Sequence, residues 1–327
     1  MAEENKIDKS KITNALKSLN KRFGENTVVK MSDSDNNIER FSSGRDDLDV
    51  ILGGGYPLGK MIEISAENSC GKTGLALNAI KSMQSLGRAC GIIDAENALN
   101  VEYCEEIGVD VDELYISQPD CGENGIEAIK AMVNSGQFGL IVVDSVSGLQ
   151  PRKVIECESG EAVIGLHAKL MAQMVVQLKT PLQVNKTTLI LSNQKRDNIS
   201  LYGASEKTTG GRAIPFYMSI RLDIKNKGAI MEGGEKIGFK QQIKTIKNKT
   251  APPFQSLEAD LIYGVGVDKI IGFIDSLVFE GILEKAGGGW FKYNDVNIAR
   301  GMPKLRETLE DNPELYEELK EKLNQTK

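Results

Sequence analysis

The run Ala66-Glu67-Asn68-Ser69-Cys70-Gly71-Lys72-Thr73 carries the most specific chemistry in the chain. It stands between an apolar strand candidate, residues 61–65, and a helix candidate, residues 72–86. That is the context of the phosphate-binding loop G-x-x-x-x-G-K-[ST]. Such a loop turns backbone N–H groups and a helix N-terminus toward phosphate oxygens. Lys72 is then placed to neutralise the β and γ phosphates, and the Thr73 hydroxyl to bind Mg²⁺. One position departs from the pattern: Ala66 stands where the first glycine belongs. A Cβ is costly there if the backbone must be left-handed.

Three further strand ends carry polar residues. Leu140-Ile141-Val142-Val143 runs straight into Asp144. An acid at the end of a buried parallel strand is the Walker B arrangement, in which the carboxylate holds the Mg²⁺ shell. Glu96 follows Ile92-Ile93-Asp94-Ala95 and faces the crevice where open α/β sheets bind ligands. A carboxylate there can orient and deprotonate an attacking water. Asn193-Gln194 ends another apolar run, and a Gln amide both donates and accepts, which suits sensing a γ-phosphate.

Elements must hold these residues together. Strand candidates are 61–65, 89–94, 114–117, 140–144 and 187–193, and helix candidates are 72–86, 123–135 and 162–178. Short apolar strands alternating with helices predict an α/β fold, a mostly parallel twisted sheet flanked by helices. Residues 217–225 and 239–247 lack intervening helices and read as antiparallel additions. Before the core, Ile12, Leu16, Leu19 and Phe23 recur at helical spacing, followed by a strand candidate at 27–31 and a polar linker at 32–37. After it, residues 269–327 change to a small α+β pattern with a charged helical tail. The expected organisation is an arm at 1–33, a core at 34–268 and a C-terminal domain at 269–327.

Composition narrows the classes. The chain of 327 residues has 40% hydrophobic and 26% charged residues, so it is globular and large enough to bury a core without staples. A single histidine, His167, excludes multi-His metal centres and disfavours a Ser-His-Asp hydrolase. The five cysteines, at 70, 90, 104, 121 and 157, form no C-x-x-C pair and read as reduced thiols of a cytosolic protein. Cys70, inside the loop, reads as a substitute for serine, and its place at a helix N-terminus is one that can lower a thiol's pKa. No apolar stretch is long enough for a membrane span, and the N-terminus lacks a secretory h-region. The net charge of −6 argues against a nucleic-acid partner, yet residues 221–249 hold eight Lys/Arg against three Asp/Glu. Phosphate affinity follows the local field, so that argument is weak.

Taken in order, these motifs resemble the RecA-type recombinases of bacteria and phages over nearly the whole chain. The matching stretches include Ser69–Thr73, Ile93-Asp94-Ala95-Glu96, Ser117-Gln118-Pro119-Asp120, Val142-Val143-Asp144-Ser145-Val146, Asn193-Gln194, Thr208-Thr209-Gly210-Gly211, Lys247-Asn248-Lys249 and Glu284-Lys285-Ala286-Gly287. The resemblance implies a RecA-like ATPase core, with Glu96 as catalytic base, Gln194 as γ-phosphate sensor and Tyr103 stacked on adenine. It implies a helical homo-oligomer with ATP between subunits. The arm would dock on a neighbour, and Lys247 and Lys249 would face the neighbour's γ-phosphate.

Two polar, Gly-containing stretches, 156–165 and 195–211, read as loops following core strands. The resemblance makes them the contacts to single-stranded DNA and homologous duplex. Arg196, Lys207 and Arg212 would pair with phosphates, and Thr208, Thr209, Gly210 and Gly211 would offer backbone N–H groups. Ile164 and Tyr202 would wedge between bases or stack on them. The chain also departs from the family. Gly74 replaces a hydroxyl residue, Asn100 replaces an acid near the adenine, and Pro215 replaces an interface lysine. Family members often carry a longer acidic tail than the one that stops here at Lys327. The readings that remain are a strand-exchange protein, a nucleotide-binding filament or structural ATPase without strand exchange, and a helicase-like motor.

Overall fold

The structure is a computed structural model. It describes residues 8–24, 28, 30–31, 38–158, 165–200, 203–232, 234–262, 266–267 and 269–326. The predicted linker at 32–37 lies outside them, as do Thr27 and Val29 of the predicted strand, and Val28, Lys30 and Met31 are not in a strand. Two compact units separate at Ile38, one of residues 1–38 and one of residues 39–327. The first holds helix α1 (Lys9–Phe23), which is capped by the Asp8 carboxylate and buries none of its residues.

The second unit opens with a short ribbon of β1 (Arg40–Phe41), helix α2 (Asp46–Leu52) and β2 (Tyr56–Pro57). Strand β3 (Met61–Ala66) leads into α3 (Lys72–Gln84), then β4 (Ala89–Asp94), α4 (Val101–Ile107), β5 (Leu114–Ser117), α5 (Gly122–Asn134) and β6 (Phe138–Asp144). A short helix α6 (Arg152–Glu156) and the long α7 (Leu166–Asn185) precede β7 (Thr188–Ser200) and β8 (Gly203–Thr208). Then come α8 (Ala213–Tyr217), β9 (Ile220–Glu232), β10 (Glu235–Asn248), β11 (Ser256–Ile262) and β12 (Gly266–Val267). The chain ends with α9 (Lys269–Phe279), the meander β13 (Glu284–Ala286), β14 (Trp290–Tyr293) and β15 (Val296–Arg300), and helices α10 (Met302–Asp311) and α11 (Pro313–Thr326).

The large sheet has the order β12-β11-β10-β9-β3-β7-β6-β4-β5. Strands β5, β4, β6, β7, β3 and β9 run parallel. Helices cover both faces, and two apolar clusters fill the layers, one around Ile62, Leu77 and Ile92 and one around Ile141, Met174 and Leu189. A third cluster around Phe273, Leu305 and Leu319 closes the C-terminal elements.

Three expectations are corrected. Strand β9 is parallel to β3, and beyond it β10, β11 and β12 are added antiparallel, each to its neighbour. Helix α7 runs through Pro181 to Asn185 instead of stopping at 178. Leu182 is buried there and the Asn185 side chain bonds the Pro181 carbonyl, so packing outweighs the proline's missing donor. The stretch 195–211 is not an irregular loop. It is largely a hairpin in which β7 continues to Ser200 and pairs with β8, Lys195 opposite Thr208 and Arg196 opposite Lys207. No helix among the described residues is long and apolar enough to cross a membrane.

Candidate functional site

The parallel strands end on one edge of the sheet, and the polar residues singled out by sequence collect there. Ala66 is the last residue of β3, fully buried and paired with Gln194 and Ile224. Its φ is not positive, so its Cβ carries no backbone penalty. The left-handed positions of the loop are Ser69, at φ 56°, and Gly71, at φ 89°. Glu67, Asn68 and Ser69 are exposed, and Cys70 is buried.

Gly71 is required twice over. A Cβ there would stand 2.7 Å from Gln241 Nε2. That amide donates to the Cys70 carbonyl at 2.7 Å, and the Gln241 oxygen accepts from Arg45 at 2.8 Å. The loop is thereby tied to β10. Left-handed backbone costs a residue with a Cβ roughly 1–2 kcal/mol. Gly71→Ala is therefore expected to lower the melting temperature and weaken nucleotide binding by about tenfold, the equivalent of that strain. Thermal melts with and without ATP check this, and unchanged binding would remove the loop from the site.

Lys72 Nζ folds back on the loop, donating to the Glu67 carbonyl at 2.8 Å and the Ala66 carbonyl at 3.5 Å. Burial pulls its pKa down, against the pull of Asp144, Cys70 and Glu96. The Thr73 hydroxyl donates to Asp144 Oδ2 at 2.6 Å. These are hard oxygen donors of the kind Mg²⁺ takes when phosphates and water complete its shell. Among the described residues no three His, Cys, Asp or Glu side chains form a metal-binding group. For Cys70 the shift runs the other way: burial pushes the thiol up, and Lys72 only partly opposes this.

Glu96 Oε1 is the meeting point of the second cluster. It accepts from Ser145 Oγ, from Gln194 Nε2 at 3.2 Å and from Ser147 Oγ at 3.4 Å. Ser145 and Ser147 were not singled out from the sequence as site residues, because their approach depends on the turn after β6. That turn is supported by His167, whose ring nitrogen contacts the Val146 carbonyl at 3.0 Å. The Glu96 loop is held by Asp94, which accepts from Ala98 N, Leu99 N and Gln118 Nε2.

Tyr103 lies on α4, where Asn100 caps the helix by accepting from Tyr103 N at 2.9 Å. A cavity of about 270 Å³ is lined by Ser69, Cys70, Gly71, Lys72, Thr73, Gly74, Tyr103, Phe239 and Leu261. The last two were missed by the sequence reading, since they arrive from β10 and β11. Gly74 has a local reason: a Cβ there would stand 2.6 Å from the Tyr103 hydroxyl.

On the far side of β7, Asn193 pins Thr209 twice, donating to its carbonyl at 2.9 Å and accepting from its N–H at 3.2 Å. Thr208 is half-buried, while Gly211 and Arg212 are exposed. Gly210 is buried and left-handed, packed where a Cβ would meet Ile214. Ile164 and Tyr202 lie outside the described residues, and of Arg196 and Lys207 the backbone register is known. Lys247 Nζ donates to the Pro215 carbonyl at 2.8 Å and the Phe216 carbonyl at 2.9 Å. Burial, Lys249 and Arg221 lower its pKa. Lys249 is exposed, and the intervening Asn248 is structural, its Oδ1 accepting from Thr250 and Ala251.

Residues 10–268 match the RecA N-terminal domain and residues 273–326 the RecA C-terminal domain. Protein RecA of Streptomyces coelicolor is 41% identical over 314 residues, which cover 95% of this chain and 84% of that one. Protein RecA of Chelativorans sp. is 42% identical over 330 residues, 99% of this chain and 91% of that one. Protein RecA of Brucella abortus is 40% identical over the same span and the same shares. With its strand-end clusters and both domain matches, the chain belongs to the RecA family, whose role is DNA recombination and repair.

Proposed function

We propose that this protein is a DNA-dependent ATPase that forms helical filaments on single-stranded DNA and exchanges strands with homologous duplex. The observation that carries this reading is the placement of two clusters on one sheet edge. Thr73 meets Asp144 beside the phosphate loop, and Glu96 meets Gln194 on the strand that continues into the hairpin.

In this reading backbone N–H groups of residues 69–73 and Lys72 hold the phosphates of ATP, and Thr73 and Asp144 hold Mg²⁺. The nucleotide supplies the phosphoryl group whose transfer to water is catalysed. Glu96 orients that water and takes its proton. Gln194 reports the γ-phosphate to the hairpin. Lys247 and Lys249 stabilise transition-state charge on a neighbour's nucleotide, as an arginine finger does in trans. The stripe of α1, with Ile12, Leu19 and Phe23 exposed, supports an arm that docks on another subunit. The domain limits proposed remain 1–33, 34–268 and 269–327.

The DNA surface is assigned to the hairpin and its end. Register sets Arg196 opposite Lys207, and like charges opposed in a ladder are unfavourable unless an anion joins them. A phosphate supplies that anion. Arg212 and the backbone of Thr208, Thr209 and Gly211 extend the contact. Gly210 serves the turn. Ile164 and Tyr202 are proposed to act on base stacking. Binding to single strands is expected to fall steeply with salt. Tyr202→Ala is expected to impair strand exchange more than filament assembly, read by a D-loop assay beside DNA-binding anisotropy. Equal losses would remove the wedge role.

The test of the whole reading is D-loop formation with ATP and with a non-hydrolysable analogue. Product in at least one condition is expected. Product in neither would leave a nucleotide-binding filament protein without strand exchange.

A further inference from the structure

Strand β3 contains one charged residue, Glu63, in a run that is otherwise apolar or small, and it is completely buried. Its two oxygens are used in two directions. Oε2 accepts from Arg221 Nε on β9, the residue directly beside it in the parallel pairing. Oε1 accepts from Asn193 Nδ2 on β7 at 2.8 Å. Beyond each partner lies a different part of the proposed machinery. Arg221 is paired across the antiparallel ladder with Lys247. Asn193 holds both backbone groups of Thr209, at the end of the hairpin.

Asn193 is also the neighbour of Gln194, which donates to Glu96. Successive residues of a strand point to opposite faces. Residue 194 thus addresses the Glu96 cluster, and residue 193 addresses Glu63 and the hairpin. A shift of this short piece of β7 moves both. The polar chain runs from Thr209 through Asn193 and Glu63, both fully buried, to the partly buried Arg221, which is register-paired with Lys247 on the next strand.

We propose that Glu63 is a positioning residue that couples the DNA-side hairpin to the lysine-bearing strand, so that DNA engagement sets the placement of Lys247. This rests on the reading of Lys247 and the hairpin given above. Glu63 touches no reacting atom. It acts through Arg221 and Asn193, and its charge holds a basic cluster of Arg221, Lys247 and Lys249 in one arrangement. Electrostatically, Glu63 is the acid that opposes the downward shift of the Lys247 pKa. The structure shows these bonds made, and coupling requires that losing them bias both ends, which is what the variants below test.

The experiment measures the ratio of ATPase rates with and without single-stranded DNA in the full chain. Glu63→Gln keeps the shape and removes the charge. Asn193→Ser cuts the hairpin link and leaves the Glu63–Arg221 pair, so it remains informative if Glu63→Gln melts early. Both variants are expected to lose about tenfold in the ratio, within the usual range of coupling between sites, while the DNA-free rate and nucleotide affinity stay at the parental values. The double variant is expected to lose no more than the worse single one. An unchanged ratio in Asn193→Ser overturns the proposal, and so does a proportional fall of both rates, which marks a merely structural role. Lys247→Ala, assayed alongside, separates the two levels. If it loses stimulation while Glu63→Gln and Asn193→Ser keep it, the coupling fails and the lysine reading stands. If it keeps full stimulation, the lysine reading itself fails.

Discussion

Glu96→Gln is expected to keep ATP binding and to slow hydrolysis by roughly two or more orders of magnitude, the usual contribution of a general base. The substitution is nearly isosteric, and Oε1 already serves three donors, Ser145 Oγ, Ser147 Oγ and Gln194 Nε2. A glutamine keeps an acceptor for them but cannot take a proton from water. The cluster should therefore stay in place while chemistry stops. Phosphate release on single-stranded DNA, measured beside nucleotide affinity, separates the two. Filaments on DNA should persist longer, because the ATP state is not consumed. Turnover at the parental rate would remove Glu96 from the role of base.

The second large effect concerns the lysines. Lys247→Ala/Lys249→Ala is expected to abolish DNA-dependent hydrolysis, and activity should return on mixing with Glu96→Gln. Lys247 is held by carbonyls of its own chain, those of Pro215 and Phe216, so the isolated subunit keeps this cation occupied. Two ammonium groups contributed to a neighbour's nucleotide, as proposed, would make the rate depend on protein concentration and on assembly along DNA. In a mixed filament, one protein donates lysines without hydrolysing and the other hydrolyses with lysines received. The mixture should exceed the sum of its parts. Mixed filaments seen by microscopy with no recovered activity would sink the trans arrangement.

The sequence made parts of this visible for identifiable reasons. Strands 89–94 and 114–117 have the same bounds in the sequence pattern and in the structure, because apolar runs bounded by turn residues leave little choice. The meeting of Thr73 with Asp144 follows from the same logic, since a parallel sheet brings the ends of its strands to one edge. The hairpin after Gln194 was not visible. Residues 195–208 are polar, and a ladder of polar residues gives no alternation of apolar side chains to read. The candidate helix at 162–178 stops short of Pro181, and local pattern cannot weigh Leu182, which is buried in the core and keeps α7 helical to Asn185. Ser145, Ser147, Phe239 and Leu261 join the site through tertiary approach alone. Glu63 was hidden inside a run that reads as strand, and its partners lie far away in sequence.

Ala66 has a consequence beyond the folded loop. It ends β3 in ordinary strand backbone, with the left-handed turns left to Ser69 and Gly71. A glycine in its place would gain nothing here and would free the unfolded chain to visit many more conformations. At positions whose native backbone suits both residues, alanine favours the native state by about 0.4–1 kcal/mol through that restriction of the denatured ensemble. The departure from the loop pattern thus acts mainly on the disordered chain, making the start of the phosphate loop cheaper to order each time the protein folds.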